Sequence, residues 1–183
     1  QRSFTESLSQ WGNSTRRSEN SRLNRAYFAH ATGERGAVAF NLGGRIEDNE
    51  QFGTFRTWQL GATWVVPGAS GLRLRGSAGR GMKEPTFFET FATGFAIGNP
   101  ALEPEVSTSW EIGADASLQR GRIHVRGTWF DQSFRNLIQH TFAPAEPGGP
   151  NYFNVAAATG RGAELEARVK GGRLTGGISW TLL

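Results

Sequence analysis

The sequence predicts an all-β chain: an antiparallel meander of about nine strands forming part of a transmembrane β-barrel. Three observations predict it. Apolar and polar residues alternate with period two over most of the chain. Connections between these stretches alternate between short and long. No apolar run approaches the roughly eighteen residues a membrane helix needs, and the mean hydropathy is only −0.44. A membrane barrel tolerates that value, because its strands place only alternate residues in lipid. The 25 glycines, 6 tryptophans and 13 phenylalanines suit turns, close strand contacts and aromatic girdles.

Element by element, residues 2–12 and 22–32 have strand character without clean alternation. Val38, Phe40 and Leu42 form one face of the next strand. Trp58, Leu60, Ala62, Trp64 and Val66 then oppose Gln59, Gly61 and Thr63, and Leu72 and Leu74 oppose Arg73 and Arg75. The stretch from Trp110 to Leu118 alternates without a break. Ile123, Val125, Gly127 and Trp129 follow, then Ala163, Leu165, Ala167 and Val169, then Leu174, Gly176, Ile178, Trp180 and Leu182. A helix would need apolar residues at three- and four-residue steps, which these stretches lack.

Short turns are expected near residues 33–36, 67–71, 119–121 and 171–172, and longer loops near 13–21, 47–54, 82–104 and 135–151. Short turns at one end and long loops at the other are the habit of outer-membrane barrels. An odd strand count and two open edges predict that residues 1–183 are a partial barrel domain.

The polar face carries Arg73, Arg75, Glu111, Asp115, Arg122, His124, Arg126, Glu164, Glu166 and Arg168. Two readings fit: the solvated outer face of a soluble β-protein, or the water-filled interior of a barrel whose apolar face meets lipid. Trp58, Trp110, Trp129 and Trp180 at the ends of apolar stretches suit interfacial belts, and tryptophan is also an ordinary core residue.

Composition narrows the chemistry. Without cysteine there is no disulfide, thiolate metal site or cysteine nucleophile. The net charge of +4 comes from arginines spread among apolar residues, so a nucleic-acid partner is not expected. Residues 76–83 approach a phosphate-binding loop, but Met82 stands where the lysine belongs and Pro85 follows at once. His30, His124 and His140 lack metal spacing, and no Gly-x-Ser-x-Gly element is present. No metal, cofactor or catalytic group is expected.

The strongest local signal lies in residues 72–118. An Arg- and Gly-rich strand enters Gly81-Met82-Lys83-Glu84-Pro85-Thr86-Phe87-Phe88-Glu89. Gly98-Asn99-Pro100-Ala101-Leu102-Glu103-Pro104-Glu105 and Ser109-Trp110-Glu111-Ile112-Gly113 follow. Pro85, Pro100 and Pro104 each fix φ and remove an amide donor, so they stop strand pairing and stiffen the loop. Asn99-Pro100 favours a turn, and Glu105 reopens a strand.

These segments resemble the barrel of TonB-dependent outer-membrane receptors, which reads G-F-K-A-P-T-L, then G-N-P-x-L-K-P-E, then S-W-E-x-G. Tyr152-Phe153-Asn154-Val155 and Gly160-Arg161-Gly162-Ala163-Glu164-Leu165-Glu166 resemble the family's Y-x-N-V and R-G-x-E-L-E strand. The resemblance covers about residues 71–183; residues 1–70 agree in character only. Glu84, Phe87, Phe88 and Glu103 depart from the family pattern.

The resemblance implies a place in a roughly 22-stranded transmembrane β-barrel in the bacterial outer membrane, in contact with its lipid. It implies an N-terminal plug domain, absent from this chain, through which the TonB–ExbB–ExbD system drives import. The imported ligand would be of the ferric siderophore or cobalamin type, and no covalent chemistry is implied.

Phe87, Phe88, Phe91 and Phe95 in one long loop, and His140, Phe142 and Tyr152 near the other, are the candidate ligand contacts, since aromatics often line such pockets. The competing reading has them packing the loops against one another. Two other functions compete: a different outer-membrane barrel (porin, adhesin or enzyme), and a soluble β-sheet binding protein.

Overall fold

The computed structural model describes the backbone of residues 2–11, 14–69 and 71–183, and side chains from residue 20 onward except residue 70. Nine strands follow in order: β1 (Arg2–Trp11), β2 (Ser14–Arg35), β3 (Val38–Asn49), β4 (Gly53–Val65), β5 (Leu72–Lys83), β6 (Glu105–Leu118), β7 (Ile123–His140), β8 (Tyr152–Gly171) and β9 (Leu174–Leu182). A five-residue helix, α1 (Phe87–Phe91), lies between β5 and β6. Every strand pairs antiparallel with its sequence neighbour, giving one sheet with β1 and β9 as its edges. Pro85 and Pro104 bracket the break in pairing, since β5 ends at Lys83 and β6 begins at Glu105.

Register sorts the residues onto two faces. Cα partners such as Phe40↔Ala62, Trp64↔Leu74, Ile112↔Trp129 and Leu165↔Trp180 run along one face. Partners such as Arg73↔Asp115, Asp115↔Arg126 and Arg126↔Glu166 run along the other. The apolar face is uncovered: Leu42, Leu60, Ile112, Trp129, Leu165 and Ile178 are all exposed. Among the described residues, the buried apolar side chains are Pro85, Ala96 and Leu102, all in the β5–β6 loop. Among the described residues, no second layer packs on the apolar face of the sheet. A soluble sheet hides its apolar face against a second layer, and this one leaves it open.

Loop lengths depart from expectation at the N-terminal end. Residues 14–21, expected in a loop, belong to β2 and pair with β1 from Trp11↔Ser14 onward; residues 12–13 lie outside the described set. Residues 47–54, also expected as a long loop, are strand ends joined by residues 50–52. The first short turn is at residues 36–37, with Gly33 inside β2. The last long loop starts only after His140.

One physical cause explains these differences. The 22 residues of β2 extend about 70 Å at roughly 3.3 Å each, whereas a lipid crossing takes about 9–11 residues. The strand therefore runs well past such a length, and alternation vanishes in its N-terminal part while pairing continues. The ends still differ: residues 84–104 and 141–151 form the large connections at one end, and residues 36–37, 66–69 with 71, 119–122 and 172–173 turn the chain at the other.

Candidate functional site

The β5–β6 loop begins on a buried cation. Arg22 of β2 is only 4% exposed. Its NH2 donates to the Pro85 carbonyl at 3.1 Å, and its NH1 lies 3.5 Å from Glu84 Oε2. The guanidinium sits over the rings of Phe52 and Phe87, at 5.1 and 4.8 Å, where the negative ring faces attract it. Asn24 and Asn49 both donate to the Glu84 carboxylate. Glu84, a departure from the family pattern, therefore ties the loop base to β2 and β3.

Thr86 and Glu89 then start α1. The Thr86 hydroxyl accepts from the Glu89 amide at 3.1 Å, and the Glu89 carboxylate accepts from the Thr86 amide at 2.7 Å. This reciprocal capping box satisfies two amides that a helix start leaves open. The chain returns over the far end of the helix at Gly98. A Cβ there would meet the amide nitrogens of Phe91 and Ala92 at 2.6 Å, so only glycine passes so close to backbone.

Asparagines join the two large loops. Asn151 accepts from the Ile97 amide at 2.7 Å and donates to the Thr141 carbonyl at 2.8 Å; its own amide donates to the Ile97 carbonyl at 2.8 Å. Asn99 donates to the Tyr152 carbonyl at 2.9 Å and accepts from the Ala101 amide across Pro100. Asn154 accepts from the Glu103 amide at 2.8 Å and donates to the Glu103 carbonyl at 2.9 Å and the Asn136 carbonyl at 2.6 Å. Asn136 has a left-handed φ of 56°, and β7–β8 pairing skips it. Glu105 completes the set: its Oε1 accepts from the Ile138 amide at 2.9 Å and pairs with Lys83 at 3.2 Å.

The structure brings five of the seven aromatic candidates into one chain of contacts. Phe88 meets Tyr152 edge-on at 6.1 Å between centroids, and Tyr152 lies 5.0 Å from His140. His140 meets Phe142 at 4.7 Å, and Phe142 meets Phe95 at 6.5 Å. Phe87 and Phe91 stack on each other at 6.4 Å on the Arg22 side. The cross-strand pair His140↔Tyr152 lies on the charged face. These contacts pack the loops together, yet Phe95 and Phe142 stay 87% and 81% exposed. Burial first, and the charge of Glu89 second, hold the Tyr152 phenol above its ordinary range.

Below the loops the charged face is laced across β5, β6 and β7, with a further ion pair within β8. Arg75 pairs with Glu111 at 3.1 Å and Asp115 at 3.5 Å, and donates to Thr128. Asp115 also holds Arg126 at 2.6 Å, and Glu166 holds Arg168 at 2.5 Å. Glu164 faces the same way, opposite Thr128. Gly113 leaves space for the Arg75 guanidinium to cross β6, since a Cβ would lie 2.8 Å from Cζ. Gly162 does the same for the Phe130 ring, whose Cζ would stand 2.9 Å away. Trp110 faces outward and is exposed, Leu102 is buried, and Val155 pairs with Leu137.

The family model described as "TonB dependent receptor-like, beta-barrel" matches residues 2–183. The chain belongs to that family. This receptor barrel is 32% identical over 143 residues to the vitamin B12 transporter BtuB of Photobacterium profundum, covering 76% of this chain and 22% of that protein. It is 31% identical over 158 residues to the BtuB of Vibrio vulnificus, covering 85% and 24%. The chain thus spans under a quarter of the length of these curated relatives.

Its fold matches the siderophore receptor PirA from Pseudomonas aeruginosa with a TM-score of 0.73 at 19% identity, covering 90% of this chain and 32% of that one. It matches a double mutant of the Serratia marcescens hemophore receptor HasR, in complex with its hemophore HasA and heme, at 0.68 and 18%, covering 91% and 36%. At these identities the likeness is one of fold.

In this receptor barrel, Arg22, Thr86, Asn136 and Asn151 are residues to which sequence reading gave no role of their own. Thr86-x-x-Glu89 was a legible helix start. Asn151 follows Pro150 and precedes the Tyr152 motif, where a capping asparagine fits. Arg22 gave no signal, because its partners are about 30 and 60 residues away.

Proposed function

We propose that this receptor barrel supplies part of the wall and outer loops of an active importer in the bacterial outer membrane. One observation carries the reading: an aromatic cluster on the charged face, at the large-loop end of a sheet whose opposite face is apolar and uncovered. Lipid takes the apolar face, water fills the charged interior, and the cluster stands at its mouth. Phe88, Phe95, His140, Phe142 and Tyr152 contact the ligand, and Phe87 and Phe91 hold α1 in place.

The ligand is a bulky nutrient complex of the cobalamin or ferric siderophore type. The relatives above 30% identity are vitamin B12 transporters, so cobalamin is the first to test. In the intact protein a plug domain closes the barrel, and the TonB–ExbB–ExbD system supplies the energy. The wall guides and binds; it performs no covalent step. The uncovered apolar face favours this over a soluble binding protein.

The test is cyanocobalamin binding by the intact receptor, followed by uptake in cells, with Phe88→Ala, His140→Ala and Phe142→Ala. The expected result is weaker binding by about 1–3 kcal/mol for the triple variant, with unchanged barrel folding. Binding that survives all three changes, for cyanocobalamin and for ferric siderophores alike, removes the cluster from the site.

A further inference from the structure

The outward face carries a line of aromatics. Tyr27 pairs with Ile46, two residues beyond Gly44, the partner of Trp58. Trp58 pairs with Arg80, two residues beyond Ala78, the partner of Trp110. Trp129 pairs with Ile112, two residues past Trp110, and Trp180 pairs with Leu165, two residues past Ala163, the partner of Trp129. Each step descends two residues toward the short-turn end. In a barrel whose strands tilt by about 35–45°, such a diagonal is a level line, the outer aromatic girdle.

Immediately on the loop side of that line the outward face turns basic. Arg25 stands two residues before Tyr27 and Arg56 two before Trp58; Arg80 is opposite Trp58, and Arg161 lies two before Ala163. One of these meets a carboxylate: Arg161 pairs with Asp131 at 3.2 Å, while Arg25 stands opposite Asp48 in register. Arg56 and Arg80 do neither. Both are exposed, and among the described residues neither side chain makes a hydrogen bond or ion pair. They stand on adjacent strands: Arg80 faces Trp58 in the last pair of the β4–β5 ladder, and Arg56 is two residues beyond Trp58 on the same face of β4.

Two unpaired cations side by side at the lipid edge repel each other unless an anion joins them. The anion that reaches this height from the membrane is a lipid phosphate. We infer that Arg56 and Arg80, flanked by Trp58, form a docking surface for the phosphate groups of an anionic lipid of the outer leaflet. Its acyl chains lie along Leu60, Trp64 and Leu74 below. The inference rests on the membrane placement proposed above.

The test uses the intact receptor purified in detergent, mixed with diphosphorylated lipid A and read by native mass spectrometry. Variants are Arg56→Gln with Arg80→Gln, and Arg35→Gln, an outward arginine at the opposite end of β2. Heat-dependent gel mobility confirms that each barrel is folded. Wild type and Arg35→Gln are expected to retain lipid A, and the double variant to retain about tenfold less. Dephosphorylated lipid is expected to bind as weakly to wild type as lipid A does to the double variant, and excess inorganic phosphate is expected not to displace lipid A.

Equal retention by the double variant, or equal loss with Arg35→Gln, overturns the inference while leaving the membrane placement intact. Full displacement by inorganic phosphate makes the site one for the free ion and overturns it too. A wild-type receptor that stays folded and soluble without detergent overturns the placement itself, and the lipid site with it.

Discussion

Asn154 closes a pair of hydrogen bonds on Glu103, accepting from its amide at 2.8 Å and donating to its carbonyl at 2.9 Å. The side-chain amide thus acts as a missing strand partner. It lets the Leu102–Pro104 segment, which has no neighbour in the sheet, keep its backbone groups satisfied. Two sequence motifs about 50 residues apart are one physical unit for this reason. Asn154→Asp keeps the acceptor and loses both donor bonds, to Glu103 and to Asn136. Stability is expected to fall by about 1–3 kcal/mol, and amide exchange to accelerate at Glu103 and in its neighbours. Urea unfolding in detergent with hydrogen-exchange mass spectrometry checks both.

Glycines set two close approaches. Gly98→Ala drives a methyl group into the backbone of α1, and no side chain can move aside. The expected outcome is a loosened β5–β6 loop, seen as rapid exchange across residues 87–99, with the barrel still folded. Gly113→Ala presses on the Arg75 guanidinium and on the Gly127 carbonyl, at an expected cost of about 1–3 kcal/mol. Combining it with Arg75→Ala removes the first clash only, so a double-mutant cycle should show partial relief.

Arg22 is the anchor of the loop base, and its geometry is specific to a guanidinium. Arg22→Lys keeps a charge near Glu84 but cannot bond Pro85 and span both phenyl faces at once. The variant is expected to lose about 1–3 kcal/mol and to expose residues 84–91 to limited proteolysis. Unchanged proteolysis would place the anchor elsewhere.

Tyr152 gives a titration. Burial, then Glu89, raises its phenol above the ordinary value of about 10. Because the folded value exceeds the unfolded one, the neutral phenol contributes stability below about pH 10, and that contribution is lost as pH rises through the folded value. Ultraviolet difference titration against Tyr152→Phe should show the raised value. Glu89→Gln should lower it part of the way, since burial is the larger cause.

Much of this was legible in the sequence, and the limits have physical causes. From β3 to β9 one face is largely apolar and the other polar over the middle of each strand, so alternation marks the strands well. Residues 14–21 and the strand ends at 47–49 and 53–54 are polar without alternation, so they read as loops although their backbone pairs. The aromatic candidates could be named, because aromatics concentrate in the two long loops. Their division into a five-membered chain and a separate Phe87–Phe91 stack depends on α1, whose capping box was short and whose helix has only five residues. The pairing of Asn151 with Ile97 spans more than fifty residues, and only folding brings them together.

The central claim is that the apolar face meets lipid and the charged face meets water. The chain contains no cysteine, so single cysteines along β6 can carry spin labels in the intact receptor in nanodiscs. Accessibility to oxygen, which concentrates in lipid, and to a water-soluble nickel chelate is then measured from Trp110 to Leu118. The account predicts a period of two, with oxygen favoured at Ile112, Ala114 and Ala116 and nickel favoured at Glu111, Gly113 and Asp115. The opposite phase, or nickel access at every position, would contradict it.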